Sequence, residues 1–274
     1  MEKKGIVGLC FILLTLGIST ASAQSGRKLG THNSMTYMKP CGDAKMLAMW
    51  PFAKCQSMDY KEQYDFGVRF YDLRIRFIDG TPYFAHGEVE FCDVDAYTVL
   101  DYLNSKGDCA VNLVLENSSK IGTGQNDPFI ALCKESLEKY KNIHFTGGWA
   151  KYPGDHPVVF QFDTPGVNRD EKYKVFTLLN EALDEVKSKK SSGLKKIGAG
   201  VTEFAQRPEG FAESDNPGYW SEWLADPAKE NVILMLDFPE KGAPDEWVKA
   251  HSGSSNTNSD TTTKVNNLLK KLKK

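Results

Sequence analysis

Three apolar runs constrain this chain more than any other feature: Val111-Asn-Leu-Val-Leu115, Val158-Val-Phe160 and Val232-Ile-Leu-Met-Leu236. Runs this continuous suit strands buried on both faces, as in a parallel sheet covered by helices. A sheet with one wet face would instead alternate apolar and polar positions. The spacing predicts strands at 28–31, 68–77, 82–86, 110–115, 157–162 and 231–238. Helical spacing lies between them. It is expected at 57–66, closing on Gly67; at 95–104, with Ala96, Val99, Leu100 and Leu103 on one face; and at 127–140, opening on Asp-Pro. The last is 173–187, where Val175, Leu178, Leu179, Ala182 and Val186 recur at helical intervals. Alternating strands and helices of this kind predict a parallel α/β architecture, open or closed into a barrel.

The two ends differ from this middle. Lys3 and Lys4, an apolar run from Ile6 to Ile18 and then Ala21-Ser-Ala23 predict an export signal over 1–23, with Gln24 opening the mature chain. The apolar core is shorter than the roughly 20 residues of a membrane span. A secreted or periplasmic location is therefore expected. At the other end, 251–274 reads as a flexible Ser/Thr/Asn linker and a basic tail. Val265, Leu268, Leu269 and Leu272 lie on one side of that tail, among lysines. Such a segment suits either docking on the domain or touching an anionic membrane. The formal net charge of −2 offers no broad basic field, which argues against a nucleic-acid partner. Nothing in the sequence indicates an obligate protein partner.

Cys41, Cys55, Cys92, Cys109 and Cys133 remain after cleavage. None is spaced for a zinc ribbon, export permits disulfides, and the odd count leaves a free thiol. A Cys41–Cys55 pair would close a short loop around the apolar stretch 45–54, whose Met, Trp and Phe side chains suit either packing or insertion into lipid.

Chemistry concentrates around two histidines, His32 in Gly30-Thr-His-Asn-Ser34 and His86 in Tyr83-Phe-Ala-His-Gly87. Each ends an expected strand, where parallel α/β folds gather their ligands. Two imidazoles can take and return a proton near neutral pH. Between them, Phe70, Asp72, Arg74 and Arg76 share one strand face. Asp72 and Arg74 form either a structural ion pair or an anion site.

Four elements, Gly30–Ser34, Gln56–Gln63, Gly67–Arg74 and His86-Gly87, resemble the X region of phosphatidylinositol-specific phospholipase C. The resemblance covers about a third of the mature chain, with one later echo in Ile233–Phe238. It implies a distorted TIM (β/α) barrel over 24–250 and cleavage of a lipid phosphodiester by intramolecular attack, through a cyclic inositol phosphate. His32 would be the general base, His86 the general acid and Arg74 the phosphate's counter-charge. Asp72 would orient these groups, and Asp237 would orient His32 unless it serves as an ordinary cap. An arginine at position 74 resembles the metal-free branch, so no cofactor is expected. Asn33 and Glu116 resemble the calcium-using one, and any calcium would fall to Asn33, Asp72 and Glu116. Asn33, Glu116, Arg207 and Tyr219 are the candidates for contacting substrate, a phospholipid at a membrane surface. The alternatives are a metal-dependent glycerophosphodiesterase or other lipid phosphodiesterase on the same barrel, and an inactive relative that binds a lipid or glycan headgroup.

Overall fold

A computed structural model describes residues 27–117, 123–151, 159–162, 174–176, 207–230 and 232–252. The strands are β1 (Leu29–Thr31), β2 (Val68–Ile78), β3 (Thr81–His86), β4 (Val89–Phe91), β5 (Ala110–Glu116), β6 (His144–Lys151), β7 (Lys174–Phe176) and β8 (Val232–Leu236). The helices are α1 (Ala44–Ala53), α2 (Tyr60–Asp65), α3 (Ala96–Lys106), α4 (Asn126–Lys139), α5 (Pro208–Ala225) and α6 (Asp245–His251). Pairing runs β7-β8-β1-β2-β5-β6, parallel throughout. The antiparallel hairpin β3–β4 joins the far half of β2. The fold is mixed α/β. Among the described residues the sheet is not closed, since β6 and β7 do not pair.

Local chemistry accounts for the helix boundaries. Asp43 accepts from the amides of Lys45 and Met46 to start α1, and Asp59 and Glu62 form a capping box on α2. Asp95 caps α3, which ends on Gly107 at φ 81°. On the outer side of the sheet Trp220, Trp223 and Trp247 pack with ring centroids 5.0–5.7 Å apart, joining α5 to α6. A smaller cluster of Phe70, Ala110, Ile233 and Met235 fills the inner side. Gly30 belongs there: a Cβ would lie 3.1 Å from Ile233 and 3.2 Å from Phe70.

Several expectations need correction. Cys41 is bonded to Cys92, not Cys55, so the disulfide ties the approach to α1 to the end of β4. The backbone already brings these together, with the Cys41 amide bonded to the Glu90 carbonyl at 2.9 Å. The stretch 45–54 is mostly helix rather than loop, because Asp43 satisfies its first amides. Val159–Phe162, the described part of the strand expected at 157–162, is not a strand. It is held by the Phe160 amide on the Gly148 carbonyl and by Phe162 stacking on Phe145. The strand beside β5 is β6 instead. Gly147 and Gly148, both at positive φ, break its apolar pattern. Lys174–Phe176, placed in a helix from spacing, pairs with β8, where ladder hydrogen bonds outweigh local periodicity. The rest of that expected helix lies outside the described residues, as do the signal segment and 253–274. His251 closes α6, stacked on Trp247, rather than opening the tail.

Candidate active site

Alternation along the strands builds the site. On the inner side, Gly30 leads to His32 and Phe70 leads to Asp72 and Arg74. Ala110 likewise leads through Asn112 and Val114 to Glu116, and Ile233 through Met235 to Asp237. The apolar cluster is thus the floor, and the polar groups stand above it at the carboxyl ends of β1, β5 and β8 and, on β2, where its parallel pairing with β5 ends. The ends of β1, β3 and β8 turn sharply. Asn33, Gly87 and Phe238, which follow His32, His86 and Asp237, have φ of 47°, 61° and 45°. Left-handed backbone suits glycine and is tolerated by asparagine, but costs a phenylalanine about 1–2 kcal/mol. Surrounding bonds impose it. The Phe238 amide donates to the Cys55 carbonyl at 2.8 Å, and Asn216 of α5 donates to the carbonyls of Asp237 and Phe238.

His32 is 6% exposed and bonded at both ring nitrogens. Nδ1 meets Asp237 Oδ1 at 2.7 Å, and Nε2 meets Arg74 Nη2 at 2.6 Å. A carboxylate only accepts and a guanidinium only donates. The proton therefore sits on Nδ1, and Nε2 presents a lone pair. Gln56 donates to the carbonyls of His32 and Leu236, stapling the ends of β1 and β8.

Asp72 accepts from Arg74 Nε at 2.9 Å, the Asn33 amide at 3.0 Å and Asn112 Nδ2 at 2.8 Å. Burial works against its charge. The Arg74 charge and the Asn33 amide nevertheless hold its carboxyl well below the usual range. Burial also disfavours the Arg74 cation, yet Asp72 and Glu116 raise its pKa further. Arg74 Nη1 lies 3.7 Å from Glu116 Oε2, and both atoms are buried without a hydrogen bond. The Asn33 side-chain nitrogen is likewise buried and unpartnered.

His86 stands across from His32 at a ring-centroid distance of 5.9 Å. Its Nδ1 donates to the Ala53 carbonyl at the end of α1, 2.8 Å away. Burial of the ring, then the Arg74 charge, push its pKa well below the usual histidine range. Arg76 secures the turn after it, donating to the Gly87 and Glu116 carbonyls and to Glu90. Glu116 Oε1 accepts from the Gly87 amide.

His32, Asn33, Asp72, Arg74, His86, Glu116 and Asp237 are thus brought together. Arg207 and Tyr219 are not in this bonded network. Arg207 is exposed at the start of α5, and Tyr219 lies on α5 against the outer core, rather than in loops over the site. Asn33, Asp72 and Glu116 do not fit a calcium ion. Asp72 already accepts three donors, and Arg74 occupies the space between it and Glu116. Sequence reasoning missed Cys55, Asn112, Asn216 and Lys151. Lys151 ends β6, and its charge acts on Asp72, Cys55 and His86.

No protein-family model and no curated protein matches the chain. Among solved structures it is similar to phosphatidylinositol-specific phospholipase C from Listeria monocytogenes. The identity is 14%, over 85% of this chain and 94% of that one, with a TM-score of 0.48. It is also similar to a double mutant of the S. aureus enzyme, at 15% identity over 78% and 86% of the two chains and a TM-score of 0.45. A further S. aureus structure matches at 18% identity over 79% and 87%, also with a TM-score of 0.45. These likenesses are distant.

Proposed function

We propose that this chain is an exported phosphoric diester hydrolase that cleaves phosphatidylinositol-type lipids. The observation that carries the reading is His32: its Nδ1 is held by Asp237, its Nε2 faces Arg74, and His86 stands opposite. Nε2 takes the proton of a substrate hydroxyl adjacent to the phosphodiester. The freed oxygen attacks phosphorus, a new P–O bond closes the cyclic phosphate, and the bond to the diacylglycerol oxygen breaks. His86 Nε2 protonates that leaving oxygen. General acid and base groups of this kind contribute about 10²–10⁴-fold each.

Arg74 contacts His32 Nε2 in the resting site and has an unbonded Nη1. On substrate binding it turns to the phosphoryl oxygens, which frees Nε2 to act and offsets charge in the transition state. The anion also counters the positive charges that keep His86 neutral, so phosphate binding charges the acid where it is needed. No metal step is required by this arrangement. Barrel closure around the site, and export through the 1–23 signal, belong to the same proposal.

Contact with the lipid surface is assigned to α1. Leu47, Met49 and Phe52 are 54%, 36% and 45% exposed, between Lys45 and Lys54. Trp50 is turned inward, with its indole nitrogen donating to the Thr36 carbonyl.

The test is turnover of phosphatidylinositol, glycerophosphoinositol and sphingomyelin, with and without chelator, followed by phosphorus NMR. A transient inositol cyclic phosphate that chelator does not abolish is the expected result. No turnover of any of the three, with His32→Ala identical to wild type, overturns the reading.

A further inference from the structure

Cys55 has no part in the proton transfers, yet it sits among the groups that perform them. It lies just beyond the Lys54 cap of α1, is 1% exposed, and carries a free thiol. Its sulfur lies 3.7 Å from His86 Nδ1. One ligand atom each from His32, Cys55 and Asp237 falls within 4.8 Å of the others, and all three residues are buried. Asp237 is 1% exposed, and its Oδ2 is buried without a hydrogen-bond partner. A carboxylate oxygen left bare inside a protein is costly, and a cation is one way to satisfy it.

We infer that His32, Cys55 and Asp237 form an inhibitory site for a thiophilic divalent cation of the Zn2+ type. The donor set of imidazole, thiolate and carboxylate is one that zinc accepts and calcium or magnesium does not. Bonds of about 2.3 Å to sulfur and 2.0–2.2 Å to nitrogen and oxygen put neighbouring tetrahedral ligands roughly 3.3–3.7 Å apart. Reaching that geometry means opening the 2.7 Å His32–Asp237 hydrogen bond slightly and closing the remaining separations by up to about 1.3 Å. Thiolate and carboxylate together neutralise the ion. The three protein ligands leave a fourth position open.

Inhibition follows from the imidazole, and this part rests on the proposed phosphodiesterase reading. The ion takes Nδ1, which now carries the ring proton, and the proton moves to Nε2. The Cys55 thiol proton leaves to solvent. A protonated Nε2 cannot accept from a substrate hydroxyl. It also points a donor at the Arg74 donor 2.6 Å away, so Arg74 must withdraw. This donor set is separate from Asn33, Asp72 and Glu116, which do not fit a hard cation.

The experiment uses the mature protein from Gln24, with cobalt(II) chloride as an optical probe and zinc chloride in calorimetric titration. Cobalt is expected to give tetrahedral bands and a thiolate charge-transfer band that zinc displaces. Cys55→Ser is expected to lose the charge-transfer band and to bind zinc roughly a hundredfold more weakly. If Cys55→Ser fails to fold by circular dichroism, the Cys109→Ala/Cys133→Ala double variant decides: persistence of the band assigns it to Cys55. Absence of the band in wild type, its loss in that double variant, or unchanged zinc affinity in folded Cys55→Ser overturns the site. Each variant's zinc sensitivity on phosphatidylinositol vesicles is read against its own zinc-free rate. Wild type is expected to be inhibited and restored by chelator; full activity with the site saturated overturns the inhibitory role. A protein that shows the band but cleaves no phosphodiester keeps the metal site and sinks the functional reading. One that cleaves without the band does the reverse.

Discussion

The two histidines are held in opposite ways. His32 rises from a parallel strand, bonded at both ring nitrogens and stapled through its carbonyl by Gln56. Its neighbours Asp72 and Asp237 are each 1% exposed. His86 ends an antiparallel hairpin at the rim and rests on one carbonyl of α1, the helix that carries the exposed apolar side chains. The first imidazole is fixed by the core of the parallel sheet; the second is held by the hairpin turn that Arg76 and Glu116 secure and by the Ala53 carbonyl at the end of α1. A base must abstract from one position, and strand ends supply that precision. On the proposed phosphodiesterase reading, the acid that protonates a departing lipid alcohol would stand closer to where the lipid leaves.

Removing the base tests this contrast most severely. His32→Ala is expected to lower kcat by about 10⁴-fold on every phosphodiester, and Asp237→Asn by a similar order, because the amide no longer selects the Nδ1–H tautomer. Replacing the lipid with an aryl leaving group should rescue neither. His86→Ala is expected to cost about 10³-fold on the lipid and far less on the aryl ester, whose leaving oxygen needs no proton. Steady-state rates on the two substrates measure this. Equal rescue of both alanine variants would break the division of labour between floor and rim.

The pH profile sharpens the comparison further. On the proposed reading His86 acts as the acid and must be protonated, and burial with the Arg74 charge lowers its pKa. The rate should therefore fall as pH rises through the histidine range, rather than hold a plateau there. Bound phosphate raises that pKa, so the descending limb of kcat lies at higher pH than that of kcat/KM, and each falls about tenfold per pH unit. Stability follows the same groups with the opposite slope. Both Asp72 and His86 have folded pKa values below their unfolded ones. The unfolded chain therefore binds more protons, and stability is lost as pH falls through each window: for His86 from about 6.5 downward, for Asp72 from about 3.9 downward.

How much of this was legible in the sequence depends on distance along the chain. The period of two in β2 placed Asp72 and Arg74 on one face, and the pair is indeed bonded. Motif resemblance brought His32, His86 and Asp237 under consideration, although 205 positions separate His32 from Asp237. Cys55 escaped because its number invited pairing with Cys41, whereas β4 delivers Cys92 across a hairpin that spacing cannot reveal. Lys151 escaped with β6, whose two left-handed glycines interrupt the apolar pattern. Asn216 lies on a helix interrupted by Pro217 and bonds backbone rather than side chains, so nothing in its residue type marked it.

The smallest expected effect probes the rim alone. Leu47 and Phe52 each have about half their surface exposed, while the rest of their helix is anchored through Asp43 and Trp50. Leu47→Ser with Phe52→Ser removes the exposed apolar area together with the packed half of each side chain, so a modest loss of folding stability, read by thermal unfolding, is expected beside the weaker lipid binding. Full burial of such a side chain contributes about 1.5–3 kcal/mol. Half of that gives roughly 0.7 kcal/mol or more per side chain, and together about a tenfold weaker partition onto phosphatidylinositol vesicles. Turnover of soluble glycerophosphoinositol should be unchanged if α1 serves only to dock. A drop on the soluble substrate too, with vesicle binding intact, would mean that these side chains instead hold the Ala53 carbonyl against His86. The rim would then be as rigidly built as the floor, and the contrast between the two histidines would fail.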